Sequence, residues 1–237
     1  MEVTRIVKRF WTKATVTPAN GGWQVLLDGR AVKTQAGSAQ LVPSEPLALA
    51  MAAEWAAQGP TVDPVSLPLR DLADFAIDVI APDRAAATAQ LLRYAETDTL
   101  CYRADAGEPL HARQLALWEP LLSAAEARWD LHFERVSGVI HQRQSAATLA
   151  RLERVLAAHD HYTLAALTTL SALAASLTIA LAALEPGADP AALWNAANLE
   201  EDWQIELWGA DAEAAERRAL RLAGFSAAQR FAQLVRA

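Results

Sequence analysis

The residues of this chain that could do chemistry are few. Cys101 is the single cysteine, so neither an internal disulfide nor a cysteine-rich zinc site is possible. It lies in the apolar triplet Leu100-Cys101-Tyr102. A thiol in such surroundings behaves as inert core. His159-Asp160-His161 comes nearest to metal-ligand spacing. Residues two apart on a helix point to different faces, so they do not converge as an i, i+4 pair does. His111, His132 and His141 are scattered. Glu200 and Glu201 are paired carboxylates, but adjacent helical positions diverge and cannot face one cleft as an acid–base dyad. Neither GxxxxGK[ST] nor GxGxxG occurs among the ten glycines. The chain is therefore read as a non-enzyme with no cofactor and no metal. The alternative is a small cytoplasmic hydrolase using Cys101 or the His159/His161 region.

Recognition is what remains, and one stretch suits it. Asn198 to Gly209 opens the most acidic run of the chain and carries Trp203 and Trp208. From Glu200 to Glu216 there are seven acids (Glu200, Glu201, Asp202, Glu206, Asp211, Glu213, Glu216) and no Lys or Arg. At helical spacing, Leu199, Trp203 and Leu207 form one stripe, expected to be core. Glu200 or Glu201, Gln204 and Trp208 form the next. It puts a carboxylate, an amide and an indole side by side, and indoles anchor partner interfaces.

Those residues need a scaffold. The 237 residues are 53% hydrophobic and 21% charged, enough for a real core and against disorder. The net charge of −7 argues against nucleic acid, although Arg5, Lys8, Arg9 and Lys13 make the start basic. The lone cysteine fits a reducing compartment, and the N-terminus lacks the pattern of a signal peptide, so a cytoplasmic location is expected. Residues 1 to about 42 read as short strands, with turns at Asn20-Gly21-Gly22 and Asp28-Gly29. A helix from Ser44 to Trp55, stopped by Gly59-Pro60, covers them. The Pro-punctuated segment from Thr61 to Pro68 is the expected boundary, giving an N-terminal domain of residues 1–65 and a helical one of 66–237.

Beyond the boundary the period is 3.6 almost throughout. Pro120 is expected to break or kink its helix. Leu131 to Val136 alternates like a strand that returns to the N-terminal sheet. Leu164 to Leu184 has no charged residue, and is expected to be a buried central helix rather than a membrane span. Asp189-Pro190 is expected to start the helix holding Asn198 to Gly209. Two short helices around Gly224 are expected to finish the chain.

A resemblance then joins these pieces. Arg9-Phe10-Trp11, Gly21-Gly22, Leu27-Asp28-Gly29-Arg30, Lys33-Thr34 and Val42-Pro43-Ser44-Glu45 follow in order. Ala53-Glu54-Trp55, Thr97 to Arg103, Gln114, Trp118-Glu119-Pro120, Leu199-Glu200-Glu201, Gln204 and Trp208-Gly209 complete the series. Their order and spacing resemble the F-type ATP synthase assembly chaperones that bind the alpha subunit of the catalytic head, in their bacterial branch. The resemblance implies an α+β fold: a small N-terminal antiparallel sheet domain with a packed helix, then an orthogonal helical bundle. It implies a chaperone that is monomeric when free. Such a chaperone holds the free alpha subunit and prevents its aggregation until the beta subunit replaces it. It implies no catalysis and no membrane insertion. The family's important acid maps onto Glu200 or Glu201, and Glu200, Glu201, Gln204 and Trp208 become the expected partner-binding residues. Trp55 is expected to pack between the domains. Asp74 stands where the family pattern leads one to expect Asn, and Glu119 where it leads one to expect Asp.

Overall fold

The computed structural model describes residues 7–237 except Val139 and Ala210. The fold is α+β. The chain divides into two compact units: Met1–Asp83 with His161–Ala165 and Arg230–Ala237, and Arg84–Asp160 with Ala166–Gln229.

The first unit begins with β1 (Ala14–Ala19), β2 (Gly22–Leu27) and β3 (Arg30–Ala31), in that order in one antiparallel sheet. Turn chemistry sets the register. Asn20-Gly21 and Asp28-Gly29 all take positive φ, the mirror-image turn that matches strand twist. Asp28 also binds back, its carboxylate accepting from the Lys13 N–H at 2.8 Å and the Thr12 N–H at 3.0 Å. Gly22 is required for another reason: a Cβ there would lie 2.7 Å from the Val42 carbonyl. Helix α1 (Glu45–Ala56) buries Leu47, Ala48, Met51 and Ala52 against the sheet, and the Ser44 hydroxyl caps it by accepting the Leu47 N–H at 3.2 Å.

The domain boundary expected at residues 65–66 falls inside this unit. Side chains tie the Pro-rich segment down. Gln58 accepts the Asp63 N–H at 2.8 Å and donates to the Ser66 hydroxyl at 2.7 Å. Glu54 then caps α2 (Pro68–Phe75), accepting from the Leu69 and Arg70 N–H groups at 2.8 and 3.1 Å. A π-helical turn, Ala76–Ile80, and a 3-10 turn, Ala81–Asp83, close the unit's first segment. Trp55 meets Trp11 edge-on at 5.2 Å, under the Arg70 guanidinium at 5.7 Å, all within this unit. Asp74 is buried and accepts from Gln40 and from the Gln35 N–H, with Arg70 at 3.6 Å.

The second unit is mostly helical. Its elements are α3 (Arg84–Glu96), β4 (Tyr102–Arg103), α4 (Pro109–Trp129), β5 (Val136–Ser137) and α5 (Ala146–Ala157), followed by α6 (His161–Ala174) and α7 (Leu177–Ala182). Then come α8 (Pro190–Ala197), α9 (Leu199–Trp208) and α10 (Ala212–Val235), with α6 beginning and α10 ending in first-unit residues. Trp118, Leu122, Leu152, Leu156, Trp194 and Phe225 are in its core.

Several expectations need correction here. Helix α4 runs on through Pro120. Pro120 and Ala116 are both exposed, so the carbonyl that loses its partner faces water. The strand expected near 131–136 does not join the N-terminal sheet. Only Val136–Ser137 is a strand, and it pairs in parallel with β4. The preceding backbone bonds to side chains instead: the Phe133 N–H to Glu126 at 2.8 Å and the Glu134 N–H to Gln144 at 2.9 Å. Leu164 to Leu184 is buried as expected but is two helices. Ala175 at φ 49° breaks it, its carbonyl accepting from Thr99, and Ser176 caps α7. No described helix is long and apolar enough to cross a membrane. Asp189 does cap a helix, but α8 stops at Asn198, which bonds back to the Trp194 carbonyl at 2.8 Å. The tail is one helix, α10, rather than two.

Candidate partner-binding face on the acidic helix

Helix α9 carries every residue of the expected partner-binding set. Its inner side is tied to α4 and α10 by polar contacts. Leu199 is buried and Trp203 half-buried. The Arg113 guanidinium stacks on Trp203 at 4.6 Å and donates to Glu206 at 2.7 Å. That hydrogen bond holds the Glu206 carboxyl below its ordinary range. Asp202 forms a two-pronged ion pair with Arg218 of α10, one prong at 2.8 Å. Gln114, wholly buried on α4, accepts the Ala104 N–H at 2.8 Å and donates to Glu200 at 2.8 Å.

The outer side is open. Glu200 and Gln204 are exposed, and Glu201 is half-buried, its carboxylate attracting Arg218 but making no side-chain hydrogen bond among the described residues. Trp208 is 74% exposed. Leu207 corrects the expected core stripe, being 54% exposed beside Trp208. Leu207 lies in the last turn of α9, which Gly209 terminates at φ 93°. The face thus brings together Glu200, Gln204, Leu207 and Trp208, with Glu201 at its edge. Periodicity missed Leu207, and Arg113 carries no signal in its local sequence. Gln114 had one, since it belongs to the ordered motif series.

Cys101 is buried, and desolvation pushes its thiol far above the ordinary range. Among the described residues no group of His, Cys, Asp and Glu could hold a metal ion.

Comparisons with known proteins give the relationship. A family model described as the ATP12 chaperone protein matches residues 8–126. The mitochondrial protein atp12 of Schizosaccharomyces pombe is 27% identical over 221 residues, spanning 88% of this chain and 76% of that protein. The crystal structure of Atp12 from Paracoccus denitrificans superposes with a TM-score of 0.91 at 36% identity, covering 96% of this chain and 98% of that one. A candidate chaperone from Agrobacterium tumefaciens gives a TM-score of 0.92 at 38% identity, over 97% and 86% of the two chains. Matched over half its length by the family model and along nearly all of it by the Paracoccus structure, the chain belongs to the ATP12 chaperone family.

Proposed function

We propose that this chain uses the outer face of α9 to hold the free alpha subunit of the ATP synthase. The family it belongs to assembles the F1 catalytic head. In this reading the chaperone covers the alpha surface that later meets the beta subunit, and so keeps it from aggregating in the cytoplasm. The observation that carries the reading is the exposed pair Leu207 and Trp208 at the end of a carboxylate-lined helix. A large indole left in water is a ready anchor, because burying it on a partner recovers its apolar area. The carboxylates around it steer and orient a basic surface and add little to affinity, which suits a partner that must later be released.

The test is co-purification with the alpha subunit, together with light scattering of alpha alone and with the chaperone. The native chain is expected to capture alpha and suppress scattering. A Glu200→Lys, Glu201→Lys, Trp208→Ala triple variant with an unchanged circular dichroism spectrum is expected to do neither. Capture by the folded triple variant would move the contact elsewhere.

A further inference from the structure

The first unit has an open groove that the α9 face does not account for. Phe10, Trp11 and Trp55 are among its lining, and its volume is about 500 Å³. Phe10 is 66% exposed and Trp55 half-buried, while Trp11 is buried beneath them. The lining includes Arg30, Lys33 and Arg70 and no carboxylate, in a chain whose net charge is −7. Arg70 is shared with Asp71 and Asp74. Arg30 and Lys33 make no ion pair among the described residues.

Two further observations point to a ligand. The Trp55 indole N–H is buried yet has no acceptor among the described residues, whereas the Trp11 indole N–H reaches the Trp55 carbonyl at 3.3 Å. Buried donors are normally paired, and the ring that carries this one lines the groove, so its N–H lies just beneath the groove surface. The groove also runs along β3, one of the two edge strands of the sheet. The Val32 N–H bonds to the Val25 carbonyl on β2, so by strand alternation Ala31 directs its N–H and C=O to the open edge. Ala31 is exposed. An edge of this kind accepts an extended peptide as an added strand.

We propose that this groove docks an extended partner segment in which apolar side chains alternate with carboxylates. The apolar side chains rest on Phe10 and Trp55, which the buried Trp11 backs. The carboxylates meet Arg30 and Lys33, and the Trp55 ring beneath them senses the segment. Alternation follows from strand geometry, since successive side chains point to opposite faces. The proposal stands apart from the alpha-subunit reading of α9, because its test uses no alpha subunit.

The probe is an end-capped peptide alternating leucine and aspartate, titrated into the full ¹⁵N-labelled chain. The Trp55 indole signal is followed by NMR and assigned with Trp55→Phe. The signal is expected to shift saturably. A leucine–lysine peptide should bind at least about tenfold more weakly, and an Arg30→Glu, Lys33→Glu double variant should reverse that preference. Both substituted positions are exposed, so the double variant keeps the fold. An unmoved Trp55 signal at millimolar peptide overturns the proposal. So does equal binding of leucine–lysine or leucine–serine peptides, which would make the groove a general apolar patch. A Trp55 shift on simple dilution of the chain, with sedimentation showing a dimer, would assign the groove to a second copy and overturn it too.

Discussion

The Gln114 side-chain amide donates to the Glu200 carboxylate at 2.8 Å, so a wholly buried group on α4 is satisfied by an exposed one on α9. Glu200 thereby has a structural duty that Glu201, without a side-chain hydrogen bond among the described residues, does not. The two adjacent acids, indistinguishable by spacing, are separable by experiment. Glu200→Ala should lower stability by about 1 kcal/mol, because the Gln114 N–H is left unmade. Glu201→Ala should stay within about 0.5 kcal/mol of the native chain. Urea unfolding of both variants, set beside their capture of the alpha subunit, separates support from contact.

Trp208 gives the opposite pattern. At 74% exposed it contributes little to the fold. Trp208→Ala should leave the unfolding free energy within about 0.5 kcal/mol. Loss of an aromatic anchor should weaken binding by about 2 kcal/mol, roughly thirtyfold in Kd. A titration of alpha subunit against the two chains reads this directly, and an unchanged Kd removes Trp208 from the interface.

The pair Asp202–Arg218 joins α9 to α10. Its side chains are 35% and 19% exposed, so water screens it only in part. A double-mutant cycle with Asp202→Asn and Arg218→Gln should give a coupling of about 1 kcal/mol. The coupling should shrink as salt is raised from low to high.

Glu119 makes an acid-side prediction. Hydrogen bonding from Arg135, at 2.6 Å, holds its carboxyl below the ordinary 4.5 and outweighs the burial that pushes it up. A depressed carboxylate adds stability above its unfolded value and loses it as pH falls toward the native one. Glu119→Gln should therefore cost most at neutral pH. The gap to the native chain should close as the pH drops below about 4.5. Chemical denaturation at pH 7 and pH 3.5 measures both ends. An identical gap at both would mean that Glu119 acts through shape rather than charge.

What the sequence made legible was what is settled within a few residues. Asp28-Gly29, Ser44 and Asp189 each act through their own backbone or the next turn, and each stands in the structure as expected. Choices made by distant groups were hidden. Leu131 to Val136 alternates like a strand, but Glu126 and Gln144 claim its backbone. Ala175 has no local reason to leave a helix. The break there rests on Thr99 bonding to its carbonyl and on Asp98 accepting the Thr178 N–H at 2.9 Å. Within the candidate face the order of Glu200, Gln204 and Trp208 was readable from helical spacing, because they share one helix. Leu207 was not, since hydrophobicity names a residue's preference and only packing decides whether it is met.

The buried Cys101 gives the second unit a clock. With desolvation holding the thiolate away from neutral pH, thiol reagents meet a silent sulfur in the native state and a reactive one once the surrounding helices part. There is one such sulfur in the chain, so the rate at which it becomes labelled counts openings of that one region, with no engineered probe. Run with and without a bound client, the same clock tells whether holding a partner tightens the chaperone or loosens it.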